Sequence, residues 1–236
     1  MDEFKVPIYL MTGFLESGKT SFLNFTLAQE YFQIDEPTLL ILCEEGEEEY
    51  DKKVLKKSRT SVEVIDSIEE LTTERLVAYD AFYNPGRVII EYNGMWQVSK
   101  LEELTFPSGW GIEQHIVTVD ASTFQVYLNN MKSLFMEMVR NADLVLFNRA
   151  DTELPLANFR RSIKVVNPGA ELIFEDEEGE IEDIFDGEMP FDVKAETIEI
   201  PNEDYGIWYL DARDHADTYN GKKEVGGQAV LGRQRY

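Results

Sequence analysis

An apolar run that breaks into a glycine-punctuated turn and then into a helical pattern leaves a chain few folds to choose from. Residues 6–22 read VPIYLMTGFLESGKTSF. Positions 6–12 are apolar nearly throughout, as expected of a strand buried on both faces. After Gly18 the pattern turns helical, with Leu23, Leu27 and Tyr31 at four-residue steps beside Phe22. A buried strand handed to a helix through so short a turn belongs in a parallel sheet covered on both faces.

The rest of the chain repeats the theme. Pro37 precedes a second buried strand, TLLILC (38–43), and SVEVID (61–66) reads as a third. SIEELTTERLVAYDAF (67–82) reads as a helix, and GRVIIEYNG (86–94) as a strand running into a loop. HIVTVDA (115–121) is a further strand, with helical material up to Asn141, then DLVLFNRAD (143–151) and a short ELIFE (171–175). Alternating strands and helices predict an α/β domain of three layers with a mostly parallel central sheet. Such sheets bind ligands beyond the carboxyl ends of their strands. The polar stretches 13–20, 91–94 and 148–151 each follow a buried strand directly.

From about residue 187 the texture changes to Gly, Tyr and Asp with short alternating stretches and no long helix. The expected division is therefore a domain over 1–186 and a short β-rich segment over 187–236, either packed on the domain or opening a second module. Fewer than 50 residues is small for an independent core, so the chain is expected to stop partway through a module.

Charge excludes some partners. With 46 acidic against 22 basic residues, the net charge of −24 repels nucleic acid and anionic membranes, and no basic patch offsets it. Acidic runs stand at 43–51 (CEEGEEEYD) and 175–180 (EDEEGE), the second read as a solvated loop. Cys43 is the single cysteine, so no intrachain disulfide forms, and no apolar run reaches membrane-spanning length. The acidic N-terminus does not resemble a secretory signal, and a soluble cytoplasmic protein is the expectation.

The spacing G-x-x-x-x-G-K-T, after a strand and before a helix, has the context of a phosphate loop. Backbone N–H groups between Gly13 and Ser21, with Ser17 and Gly18 in the turn, would surround a polyphosphate at a positive helix end. Lys19 would neutralise β- and γ-oxygens, and the Thr20 hydroxyl would sit on Mg²⁺. Glu16 puts a carboxylate into this loop. It either points outward into water or stands over the γ-phosphate, the metal or a dimer interface. Glu91 ends a buried strand where a carboxylate holds the Mg²⁺ shell through water, and Gly94 suits a backbone N–H that senses the γ-phosphate. Asn148 and Asp151 have the N-x-x-D spacing that reads guanine, the carboxylate accepting from a donor pair that adenine lacks. Arg149 stands where Lys is usual, with a planar head that sits differently.

Taken in order, VPIYLMTGFLESGKTSFLN, CEEGEEEYD, VIIEYNG, VTVDASTF, NADLVLFNRAD and VVNPGAELI resemble the CobW/HypB/UreG family, closest to its CobW branch, over about residues 6–175. The resemblance implies a three-layer P-loop NTPase domain, a GTPase that loads or traffics a transition metal such as zinc or cobalt, often as a homodimer, for a metal-receiving client protein. It also implies that 43–51 is the first switch, which makes Glu44 and Glu47 candidates for contact with Mg²⁺ or a transition metal. The sequence departs from the branch in three places. Glu49 replaces a glycine, Met95 and Trp96 follow Gly94, and no cysteine stands near Asp66–Ile68 where a C-x-C-C metal motif would fall. One Cys and two His cannot close a soft-ligand site within one protomer. His115 reads as a packing or edge residue, and Met131, Leu134, Phe135 and Met138 as one core-facing helix stripe.

The expected function is a GTP/GDP-binding metallochaperone-like protein with slow GTPase activity. Water would attack the γ-phosphate in line, assisted by Lys19 and Mg²⁺, and no residue identifies itself as positioning that water. A non-catalytic, GTP-dependent scaffold is the alternative. An ATP-dependent kinase or ligase is the third reading, and Asn148 with Asp151 argues against it.

Overall fold

The computed structural model describes residues 4–181, 191–193, 195–201 and 205–226. The strands β1 (Val6–Thr12), β2 (Thr38–Leu42), β3 (Thr60–Val64), β4 (Arg87–Glu91), β5 (Trp110–Asp120), β6 (Leu144–Asn148) and β7 (Glu171–Phe174) form one sheet, in the order β3-β2-β4-β1-β5-β6-β7. Every pairing in it is parallel. The connecting helices are α1 (Lys19–Ala28), α2 (Lys52–Lys57), α3 (Thr73–Tyr83), α4 (Val98–Glu102), α5 (Phe124–Asn130), α6 (Lys132–Arg140) and α7 (Leu156–Lys164).

The central strands are buried on both faces. On one side Met11, Leu40 and Ile89 pack with Leu23 and Leu27 of α1. Ile8 and Leu10 alternate with Met11 along β1, so they face the other layer, and they are equally buried. Because the strands are parallel, their carboxyl ends gather at one edge. Met11 and Leu42 both stand opposite Glu91, and Asp120 stands opposite Asn148. The loops after β1, β2, β4, β5 and β6 therefore leave the sheet side by side, where open α/β sheets bind ligands.

Several elements differ in extent from the sequence reading. α1 stops at Ala28, and Tyr31, 77% exposed, lies in a separate single turn. Phe32 packs inward instead, edge-on against Tyr9. The helix expected over 67–82 begins only at Thr73, because the Thr72 side chain accepts from the Arg75 N–H and caps α3 there. β5 starts at Trp110, so His115 lies in mid-strand, buried, with Nε2 2.9 Å from the Thr12 hydroxyl. Phe135 and Met138 are buried in the helix stripe as expected.

The chain divides into two compact units, residues 1–154 with 162–181, and residues 155–161 with 182–236. The expected boundary at 186/187 lies outside the described residues. Within the second unit β8 (Thr197–Ile200) and β9 (Lys223–Gly226) pair in parallel, joined through α8 (Tyr205–Asp214) and α9 (Ala216–Tyr219). The ten-residue α8 lies where the sequence reads only as short alternating stretches with no long helix. A parallel pair needs a crossover, and the helices supply it. Phe191, Val193, Ile198, Ile200 and Tyr219 form a small core of their own.

Candidate functional site

The loop between β1 and α1 is shaped by backbone conformation. Gly13 and Gly18 have φ of 142° and 92°, and Glu16 is left-handed at 61°. A Cβ on Gly18 would lie 2.5 Å from Asn148 Nδ2, so no larger residue fits between the loop and the β6 turn. Gly94 packs as closely, since a Cβ there would lie 2.3 Å from the Gly13 carbonyl oxygen. The Ser17 and Thr118 hydroxyls meet at 2.8 Å and fix the loop to β5. Gly18 is the N-cap of α1 and no side chain caps that end, so the first-turn N–H groups have no side-chain acceptor from within the helix cap.

Lys19 is buried, and its ammonium donates to the Gly13 and Phe14 carbonyls at 2.9 and 3.0 Å and to Glu44 Oε2 at 2.6 Å. The Thr20 hydroxyl donates to Glu91 Oε1 at 2.9 Å, and the Tyr50 hydroxyl donates to Glu91 Oε2. Burial pushes the Glu91 carboxyl above its usual range, although Tyr50, Thr20 and the nearby Lys19 charge all pull the other way. The acidic segment after β2 folds over the loop, with the Ser21 hydroxyl donating to Glu48 and Asn24 Nδ2 donating to the Glu49 carbonyl at 3.2 Å. Lys19, Thr20, Ser21, Glu44, Glu48 and Glu91 border a cavity of about 240 Å³, which Glu16, Glu47 and Arg149 also line.

At the other end, Asn148 Nδ2 donates to the Ser17 carbonyl at 2.7 Å and so joins the β6 turn to the phosphate loop. Arg149, left-handed at φ 49°, reaches the Glu16 carbonyl at 3.2 Å. Asp151 is exposed in the same turn, where its carboxylate accepts from the Glu153 N–H at 2.9 Å. The expected residues from Gly13 to Ser21, together with Glu91, Gly94, Asn148 and Arg149, thus converge on one edge, with Asp151 following Arg149 in the turn. Glu44 stands on Lys19, and its charge also acts on Glu91, with which it lines the same cavity. Spacing alone did not reveal Tyr50, Glu48, Thr118 and Asp120. The signal for Asp120 was available, since it is the last residue of a buried apolar run.

The residues present suit a polyphosphate and a hard cation. An uncapped helix end and a buried ammonium favour phosphate, and a hydroxyl beside a carboxylate offers the oxygen donors Mg²⁺ takes. They do not suit a transition metal held by one protomer. Among the described residues no group of three or more His, Cys, Asp or Glu could hold a metal ion. Cys43 is buried, and burial together with Glu91 and Glu44 pushes its thiol up to about 12, against the thiolate form that ligates metals. No helix among the described residues is long and apolar enough to cross a membrane.

Residues 7–174 match the family model described as CobW/HypB/UreG, nucleotide-binding domain. No curated protein matches the chain. Among solved structures the chain is similar to the Zn(II)-bound YjiA GTPase from E. coli, at 19% identity and a TM-score of 0.53, over 79% of this chain and 63% of that one. It is also similar to the hydrogenase maturation factor HypB from Archaeoglobus fulgidus, at 20% identity and a TM-score of 0.49, over 73% of this chain and 82% of that one. The YjiA likeness is one of fold, and the chain spans less than two thirds of YjiA's length.

Proposed function

Because this chain belongs to the CobW/HypB/UreG nucleotide-binding family, we propose that it binds GTP and GDP with Mg²⁺ and hydrolyses GTP slowly in the service of metal handling or of a metal-linked partner. The observation that carries the reading is the Thr20–Glu91 hydrogen bond beside a buried Lys19 and an uncapped helix end. The loop N–H groups would hold the phosphates, and Lys19 would exchange Glu44 for a β- or γ-oxygen. Thr20 and Glu91 would hold Mg²⁺, which supplies charge neutralisation on the phosphates. Asn148 would keep the loop and the base turn in register, while Asp151 accepts from guanine. Low turnover follows from the lack of a side chain assigned to position water, with a client protein, a homodimer or a metal supplying what is missing. A transition metal enters as cargo, shared with a partner or across a dimer, since the donors within one protomer do not fit it.

The GTP-dependent scaffold is the second reading, favoured by the Lys19–Glu44 pair, which ties up the lysine that phosphoryl transfer would need. Calorimetric titration of GTP, GDP and ATP, each with Mg²⁺, tests the binding half, and equal affinity for ATP and GTP would remove the guanine assignment. Phosphate release with and without Zn²⁺, Co²⁺ or Ni²⁺ tests the catalytic half. Tight GTP binding with no phosphate released under any of these metals would leave the scaffold. Lys19→Ala should abolish GTP binding, and urea unfolding without nucleotide reads separately the stability lost by leaving Glu44 unpaired.

A further inference from the structure

We infer that Asp120, acting through Arg149, is a positioning residue for base recognition, an inference that rests on the guanine reading above. Asp120 ends β5 directly opposite Asn148 on β6, and the Ala121 N–H donates to the Asn148 carbonyl at 3.0 Å. Its two carboxylate oxygens have separate tasks. Oδ1 accepts from the Ser122 N–H and hydroxyl at 2.9 and 2.6 Å and closes its own turn. Oδ2 accepts from Arg149 Nη1 at 2.6 Å.

Arg149 Nη1 also lies 3.2 Å from the Glu16 carbonyl and 3.4 Å from Asn148 Oδ1. Two neighbours in the base turn therefore clasp consecutive carbonyls of the phosphate loop, Arg149 on Glu16 and Asn148 on Ser17. Glu16 and Arg149 are both left-handed non-glycine residues, a backbone state that costs free energy unless surrounding contacts hold it. Asp120 is what anchors the arginine head. Its carboxylate is 18% exposed and fixed by its own turn, whereas the arginine side chain is 52% exposed. One nitrogen, Nη1, serves both the Asp120 carboxylate and the Glu16 carbonyl, and the planar guanidinium fixes its two N–H directions where an ammonium would rotate freely. The arginine in place of the usual lysine and the aspartate across the sheet thus form one device. It sets the turn that carries Asp151 at a fixed distance from the loop that grips phosphate.

The test is calorimetric titration of the full chain with GDP and with ADP, each in Mg²⁺, for wild type, Asp120→Asn, Arg149→Ala and the double variant. Asparagine keeps the acceptor for Ser122 and turns an amide toward Arg149, so the fold should survive. Arg149→Ala, at a half-exposed position, provides an independent route to the same answer. The expected result is a loss of about tenfold in GDP affinity in each single variant. ADP should be affected less, so that selectivity narrows, and the double variant should be no weaker than the worse single. The melting temperature of the nucleotide-free protein should move little, as expected for a half-exposed pair. Unchanged GDP affinity in Asp120→Asn, equal weakening of GDP and ADP, or additive losses in the double variant would each overturn the positioning role. A wild type that binds ADP as tightly as GDP would instead overturn the guanine reading and this inference with it. Wild-type preference for GDP that survives Asp120→Asn undiminished overturns the pair alone.

Discussion

Replacing Glu44 by Gln removes one charge from a pair that the fold has buried, with side chains only 3% and 9% exposed and 2.6 Å apart. Breaking a buried pair by losing one partner costs about 3–5 kcal/mol, because the remaining charge is left uncompensated. Here the loss is smaller. Lys19 keeps the Gly13 and Phe14 carbonyls, and glutamine retains an oxygen at similar reach. A destabilisation of the nucleotide-free protein of about 2 kcal/mol is expected, the size of a charge-assisted hydrogen bond. The sign for binding is opposite. A polyphosphate must take Lys19 from Glu44, so whatever the pair contributes to the empty protein is subtracted from nucleotide affinity. Glu44→Gln should therefore bind GDP with Mg²⁺ more tightly, by up to about thirtyfold if the whole 2 kcal/mol is released. Urea unfolding without nucleotide measures the first quantity and calorimetric titration the second. A variant that loses stability and also loses GDP affinity would refute the reasoning, because Glu44 would then be assisting the loaded state instead of competing with it.

Two further outcomes follow from particular contacts. The His115 imidazole is held down from 6.5 to about 4, chiefly by burial against a smaller opposing pull from Asp143. A lowered folded-state pKa means that stability is fully present above 6.5 and drains as the pH falls toward 4, since the unfolded chain takes the proton first. Between pH 7 and pH 5 this group alone should cost about 2 kcal/mol of stability, and His115→Gln should lack that slope in urea unfolding compared across pH. At Gly94 an added Cβ would also lie 2.7 Å from the Phe14 Cα, so the phosphate loop or the β4 turn must move. Gly94→Ala should lose about 1–3 kcal/mol in denaturation and weaken GDP binding at least tenfold, and wild-type affinity would show that the close approach is dispensable.

The parts of the fold that local chemistry dictates were readable in the sequence. Runs such as those at 6–11 and 88–90 are apolar because both faces of a parallel strand are covered, and each breaks into polar residues where the strand leaves the sheet. That alone located Lys19, Glu91 and Asn148 at one edge. Tyr31 shows the limit of the same logic, since its four-residue step from Leu27 matches a helix that had already ended at Ala28. Pairings across loops were not readable, because no spacing rule sends Glu44 to Lys19, Tyr50 to Glu91 or Asp120 to Arg149. They arise only once five strand ends are set side by side. α8 was missed for a related reason, since a segment of Gly, Tyr and Asp carries little helical signal of its own and is helical as the crossover of a parallel pair.

Those unforeseen pairings also change how the chain's acidity bears on the site. The cavity is lined by two cationic side chains, Lys19 and Arg149, against five carboxylates at Glu16, Glu44, Glu47, Glu48 and Glu91. Both cations are engaged, one by Glu44 and the other by Asp120. Side-chain charge therefore does not by itself draw a polyanion into this cavity, and in a chain of net charge −24 the longer-range field opposes entry as well. On the proposed reading, what remains to hold phosphate is the backbone N–H groups at an uncapped helix end, with a divalent cation that Thr20 and Glu91 would hold. Affinity on that reading depends on how readily Glu44 gives up Lys19, while the Asp120–Arg149 pair stays closed and holds the base turn. Loop 43–51 and the Asp120–Arg149 pair are consequently as much determinants of nucleotide binding as the glycine motif that first marks the site.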